Sequence, residues 1–217
     1  MRGMIESRLH ENYLFIFSKA NAILYPKGDI NDQILKDFKV VRNVKISLVD
    51  FHTLKITLNE YIPHALFCEK DSGEVSATST PKARGCFYLT DSGYIYGVAP
   101  EIKGAAYVRF IDSIPDPIGK NVLPQEIFEG LNTFIGDVGA LKMEPREVMV
   151  SEIKSFRVSI KGGGALLLPN DEPFDTVYQN LALIVESSDF KKKVRADYSN
   201  LDYIDLRIGN RVFFKVR

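Results

Sequence analysis

Asn43-Val-Lys-Ile-Ser-Leu-Val-Asp-Phe-His-Thr-Leu-Lys-Ile-Thr-Leu-Asn-Glu60 fixes the class of the fold. Val44, Ile46 and Leu48 alternate with Lys45 and Ser47. After a tight Asp50-Phe51-His52 link, Leu54, Ile56 and Leu58 alternate with Lys55, Thr57 and Asn59. A period of two on both sides of a short link predicts a half-buried antiparallel hairpin. Upstream the period is nearer four. Ile5, Leu9 and Tyr13 predict one helix, and Ile30, Ile34 and Phe38 a second, with Asp29 as its cap. Helix, helix, strand, strand makes a small α+β unit that hands over near Pro63.

Downstream, strands dominate. Phe87 to Leu89 and Tyr94 to Tyr96 flank Asp91-Ser-Gly93, a hairpin signal, and Tyr107 to Ile111 forms a further strand. A helix follows Pro124, with Ile127, Leu131, Phe134, Ile135 and Val138 inward and Gly139 near its end. Phe156 to Ile160 and Ala165 to Leu168 read as strands joined across Gly162-Gly163-Gly164. A last helix starts at Asp171-Glu-Pro173 and turns Phe174, Val177, Leu181, Ile184 and Val185 inward.

The chain closes on Tyr203-Ile-Asp-Leu-Arg-Ile-Gly-Asn-Arg-Val-Phe-Phe-Lys-Val-Arg217. Tyr203, Asp205 and Arg207 alternate with Ile204, Leu206 and Ile208, and Gly209-Asn210 suits a two-residue hairpin loop. Phe213 and Phe214 are adjacent and must face opposite sides of the returning strand. A terminal strand can template another chain by β-augmentation. The other reading is an ordinary closing strand whose Arg211, Lys215 and Arg217 discourage aggregation.

Composition removes several function classes. The 217 residues are 45% hydrophobic and 26% charged, with 28 basic and 28 acidic side chains, so a packed core is expected and no global field attracts nucleic acid. Lys191-Lys192-Lys193 is flanked by Asp189 and Asp197. Apolar runs such as Tyr13 to Phe17 fall far short of the roughly 20 residues of a membrane helix, and Met1-Arg-Gly-Met-Ile-Glu is not a signal peptide.

Chemistry is sparse. His10, His52 and His64 are dispersed, and no Ser or Cys sits in a nucleophile elbow. The triple glycine leads into a strand, unlike a phosphate-binding loop. Asp91, Asp112, Asp116, Asp171 and Asp175 lie where turns and helix starts favour acids. Cys68 and Cys86 bracket a polar loop. They fit a disulfide stabilising by roughly 3 kcal/mol in the chain-entropy model, or two free thiols. A zinc site with His64 lacks a fourth ligand and the usual paired spacing. The expectation is no catalytic residues, no metal and no cofactor.

Three stretches resemble the bacterial cell division family FtsQ, called DivIB in Gram-positive bacteria. Thr53-Leu-Lys-Ile-Thr-Leu-Asn-Glu60-Tyr-Ile-Pro63-His-Ala is similar to the end of that family's POTRA domain. Cys86-Phe-Tyr-Leu-Thr-Asp91-Ser-Gly93-Tyr-Ile-Tyr resembles the hairpin that opens its β-domain, and Tyr203-Ile-Asp205-Leu206-Arg207 its "Y-[VI]-D-L-R". The order and spacing hold over nearly the whole chain. The resemblance implies an α+β fold: an N-terminally truncated POTRA-like domain over 1–68, its first strand missing, then a mostly antiparallel β-domain with two or more helices over 69–217.

It also implies a non-enzymatic scaffold at the division septum. Such a protein is bitopic in the cell membrane, held by an N-terminal helix that this chain does not include, with the present domains extracytoplasmic. The partners implied are FtsB/DivIC-like and FtsL-like membrane proteins. By position, Tyr203, Asp205, Arg207, Arg211, Val212, Phe213 and Phe214 would form the partner-binding surface, with Arg207 anchoring an acidic partner residue. POTRA domains also occur in outer-membrane assembly and secretion proteins, usually repeated or leading into a barrel. A cytoplasmic interaction domain and a small enzyme with an unrecognised site are the other readings.

Overall fold

The computed structural model describes residues 12–13, 17–18, 26–50, 53–70, 85–102, 104, 106–150, 155–209 and 211–217. The chain divides into two compact units, Met1–Ile62 and Pro63–Arg217. Of the two handover points suggested by the sequence, Pro63 and residue 68, the first coincides with this division.

In the first unit, strands β1 (Asn12–Tyr13) and β2 (Phe17–Ser18) pair antiparallel. The helix expected through Ile5, Leu9 and Tyr13 lies mostly outside the described residues; Tyr13 itself is in a strand. Helix α1 (Lys27–Asp37) buries Ile30 and Ile34, one turn apart. Its cap is Pro26, with no side-chain cap bond, so Asp29 sits inside the first turn, where its charge suits the helix dipole. The predicted hairpin follows as β3 (Val41–Asp50) and β4 (Thr53–Glu60), with Ile46 opposite Ile56. Ile30, Ile34, Val41 and Ile46 form this unit's core, with Val44, Leu54, Ile56 and Leu58 packed against it.

Among the described residues, the second unit forms one nine-stranded sheet. In chain order its strands are β5 (Ala65–Glu69), β6 (Cys86–Leu89), β7 (Ile95–Ala99), β8 (Arg109–Asp112), β9 (Pro145–Val150), β10 (Phe156–Ile160), β11 (Ala165–Leu168), β12 (Leu201–Ile208) and β13 (Arg211–Val216). Across the sheet they run β13-β12-β11-β10-β9-β8-β5-β6-β7. The β5/β8, β8/β9 and β11/β12 pairs are parallel and the others antiparallel, giving the α+β, mostly antiparallel sheet expected. Helices α2 (Gln125–Val138) and α3 (Phe174–Glu186) and the short α4 (Ser188–Lys193) complete the unit.

Cross-strand register shows how the sequence separates the two faces. Phe67, Phe110, Val148, Val158, Leu166, Ile204 and Phe214 form one continuous row over neighbouring strands. All belong to the main core or pack against it, together with Phe128, Leu131, Phe134 and Val138 of α2 and Val177 and Leu181 of α3. The helices therefore cover this face. Phe110 and Phe128 lie 5.1 Å apart, and Phe156 and Phe174 6.0 Å, contacts that add about 0.5–1.5 kcal/mol each beyond burial. Gly93, at φ 81°, lies so close to Phe128 that an added Cβ would meet its ring at 2.7 Å.

Some expectations change. Within α2, Phe128 is fully buried and Ile127 only partly. Gly139 stays right-handed and continues into a 3-10 turn; the left-handed position that ends the segment is Lys142, at φ 60°. Strand β9 and helix α4 have no counterpart in the sequence reading. Among the described residues, no helix is long and apolar enough to cross a membrane.

Candidate docking edge

Among the described residues, strand β13 is the outermost strand of the large sheet, paired on one side with β12. The N–H of Arg217 donates to the carbonyl of Asn200 at 2.8 Å. Peptide groups alternate in direction along an extended strand, so those of Arg211, Phe213 and Lys215 face β12, as that of Arg217 does. Those of Val212, Phe214 and Val216 point away from the sheet, and among the described residues no backbone partner meets them. They are the main-chain donors and acceptors an added strand would use.

Side chains divide between the two faces of the strand. Phe213 is 50% exposed, on the face opposite that of Phe214, which packs on Phe190 of α4 at 5.0 Å. The adjacent phenylalanines thus face opposite sides, as alternation requires. Lys193 Nζ lies 5.8 Å from the Phe214 ring centre, where a cation is attracted to the ring. Val212 and Val216 also pack against the main core. The edge therefore combines an anchored apolar side with an exposed aromatic and the exposed cations Arg211 and Lys215.

Of Tyr203, Asp205 and Arg207, the last two are bound to each other within the strand. Asp205, only 9% exposed, accepts from Arg207 three times: the backbone N–H reaches Oδ1 at 3.1 Å, Nε reaches Oδ1 at 2.9 Å and Nη2 reaches Oδ2 at 2.7 Å. These bonds hold the Asp205 carboxyl below the usual carboxylate range and raise the Arg207 pKa. Arg207 is thus turned back onto Asp205, and as an ionic anchor for a partner it would have to share or leave that carboxylate. Tyr203 is half-buried opposite Lys215. Lys215 bonds Asp202 at 3.0 Å, which lowers the Asp202 pKa.

The strand register is broken next to Asp205, between its pairing with Phe213 and that of Ile208 with Arg211. Alternation consequently fails at Ile208, which is 52% exposed instead of sharing the buried side of Ile204 and Leu206. Gly209 takes a left-handed φ of 51° at the turn, while Asn210 lies outside the described residues.

At the far end of the sheet, Cys68 and Cys86 are direct register partners on β5 and β6 and form a disulfide, with Cα atoms 4.2 Å apart. Both sulfurs are engaged, so they are no longer available as thiolate ligands beside His64. That histidine instead meets Asn132 Oδ1 at 2.9 Å, and among the described residues no cluster could hold a metal ion. His10 and His52 lie outside the described residues. A cleft of about 670 Å³ borders the disulfide, lined by Leu66, Ala99, Ile102 and Ile111, with Arg109 and Glu147 paired at 3.6 Å.

Neither a scan against protein-family models nor a search of curated proteins found a match for the chain.

Proposed function

We propose that the protein is a non-enzymatic binding module that captures an extended segment of a partner as an added strand on β13. The observation that carries this reading is the outward row of Val212, Phe214 and Val216 peptide groups on the last strand of the sheet. An added strand satisfies that row with main-chain hydrogen bonds, while Phe213 and Phe214 offer apolar contact above and below it. Phe214 is already held by Phe190, so little side-chain entropy is lost there on docking.

The resemblance of Tyr203-Ile-Asp205-Leu206-Arg207 and the two other stretches to FtsQ/DivIB supports a particular setting. There the protein is a divisome scaffold, bitopic in the cell membrane with these domains extracytoplasmic at the septum. The Cys68–Cys86 disulfide favours an oxidising compartment over the reducing cytoplasm. The partners are FtsB/DivIC-like and FtsL-like membrane proteins. Tyr203 and Arg211 flank the pairing row, and Arg207 contributes once an acidic partner group competes with Asp205 for its guanidinium.

Co-purification tests the setting. The tagged protein, recovered from detergent-solubilised membranes of its own cells, is expected to bring small membrane-anchored coiled-coil proteins with it. Recovery without them would refute the division reading.

A further inference from the structure

The pairing of β12 with β13 is interrupted twice, and each time the extra residue is on β12. Leu201 pairs with Val216 and Tyr203 with Lys215, so Asp202 has no opposite residue. Asp205 pairs with Phe213 and Ile208 with Arg211, so Leu206 and Arg207 together face Val212 alone. These are two bulges on the inner strand of a terminal hairpin. A bulge bends its strand and increases the local right-handed twist.

Each bulge is held by an aspartate. At the second, the Asp205 carboxylate takes the backbone N–H of Arg207 at 3.1 Å and the same residue's guanidinium at 2.9 and 2.7 Å. At the first, Asp202 itself is the inserted residue, and its carboxylate is tied across to Lys215 of β13 at 3.0 Å. Only Phe213, Phe214 and Lys215 lie between the interruptions, opposite Tyr203, Ile204 and Asp205.

The sequence of β13 makes such restraint useful. Arg-Val-Phe-Phe-Lys-Val has strong strand propensity. Two copies aligned antiparallel about Phe214 would place Val212 against Val216 and Phe214 against its own copy, apolar pairings that a flat edge would favour, against the repulsion of Arg211 opposite Arg217. We infer that Asp202 and Asp205 are the positioning residues that make β13 a selective edge, coiling the hairpin so that it accepts a short, strongly twisted strand and refuses a second copy of itself. The inference rests on the reading of β13 as a pairing edge.

Sedimentation of the full chain over a concentration series tests it, with the protein itself as the probe. Asp205→Ala is expected to self-associate at a concentration about tenfold lower than the unsubstituted protein, which corresponds to about 1.4 kcal/mol of added pairing. Adding Val212→Pro, which removes an outward N–H and leaves the β12 ladder intact, returns the association to its original level. Arg207→Gln, which keeps the carboxylate's bond to the backbone, gives a smaller increase in the same direction and carries the test should Asp205→Ala not fold. Self-association unchanged in the substituted proteins overturns the selective-edge inference and leaves strand capture untouched. Increased association that survives Val212→Pro also overturns the selective-edge inference, because the contact then lies elsewhere; strand capture is tested separately, by partner binding to the Val212→Pro protein.

Discussion

Removing the Cys68–Cys86 bond should cost the second unit a calculable stability. The two residues are 18 apart in sequence, and the chain-entropy relation for a loop of that length gives about 11 cal/mol/K, or about 3 kcal/mol at 25 °C. Cys68 is 2% exposed, so truncating its side chain also loses packing, in the same direction. The perturbation is Cys68→Ala with Cys86→Ala, compared with the disulfide form by calorimetry and urea unfolding. For a domain of this size each kcal/mol moves the midpoint by about 2–4 °C, so a fall of about 6–12 °C is expected. The register of β5 against β6 is also supported by β8 on the other side of β5, and the folded state should persist. A loss below about 1 kcal/mol would refute the reasoning, since the bond would then not be restricting the unfolded chain.

Asp205 predicts an acid-side signature. Its folded pKa is depressed, chiefly by the Arg207 hydrogen bonds, so its contribution is present above the unfolded value of about 3.9 and is lost as pH falls through the folded one. Urea midpoints measured from about pH 7 down to about pH 2.5 should fall less steeply for Asp205→Asn below about pH 5; an unchanged slope would remove the assignment. Gly93→Ala combines a positive φ with a Cβ 2.7 Å from the Phe128 ring, and a loss of about 2 kcal/mol or more is expected in the same assay. Gly97→Ala, where an added Cβ meets nothing within 4 Å, should be milder and serves as its control.

Periodicity made the strands legible wherever one face is buried. Val44, Ile46, Val158, Ile160 and Ile204 all follow it. Strand β9 escaped because it begins at Pro145 and continues Arg146-Glu147, with Val148 its one fully buried position. Its parallel pairing with β8 is a long-range contact that no local pattern announces. Helix α4 is only six residues long, too short for a 3.6-residue period to show. In α2, Ile127 and Phe128 are adjacent apolar residues, and the close approach of Gly93 to the Phe128 ring is a feature of the assembled fold. At the edge, alternation placed Asp205 and Arg207 on one face, but their mutual bonding follows from a register break visible only once β13 is paired. The pairing of β13 with β12 was legible from the Gly209-Asn210 turn signal, whereas the direction of its peptide groups required the Arg217–Asn200 bond.

The most direct measurement is the affinity of the Val212→Pro protein for a segment of the proposed FtsB/DivIC-like partner, by titration calorimetry beside the unsubstituted protein. Hydrogen exchange at Phe213 and Lys215, whose N–H groups face β12, reports whether the ladder is intact. Strand capture predicts that the ladder stays protected while affinity falls by about tenfold or more, from one lost main-chain bond and the proline ring in the path of the incoming strand. Equal affinity with an intact ladder would contradict it.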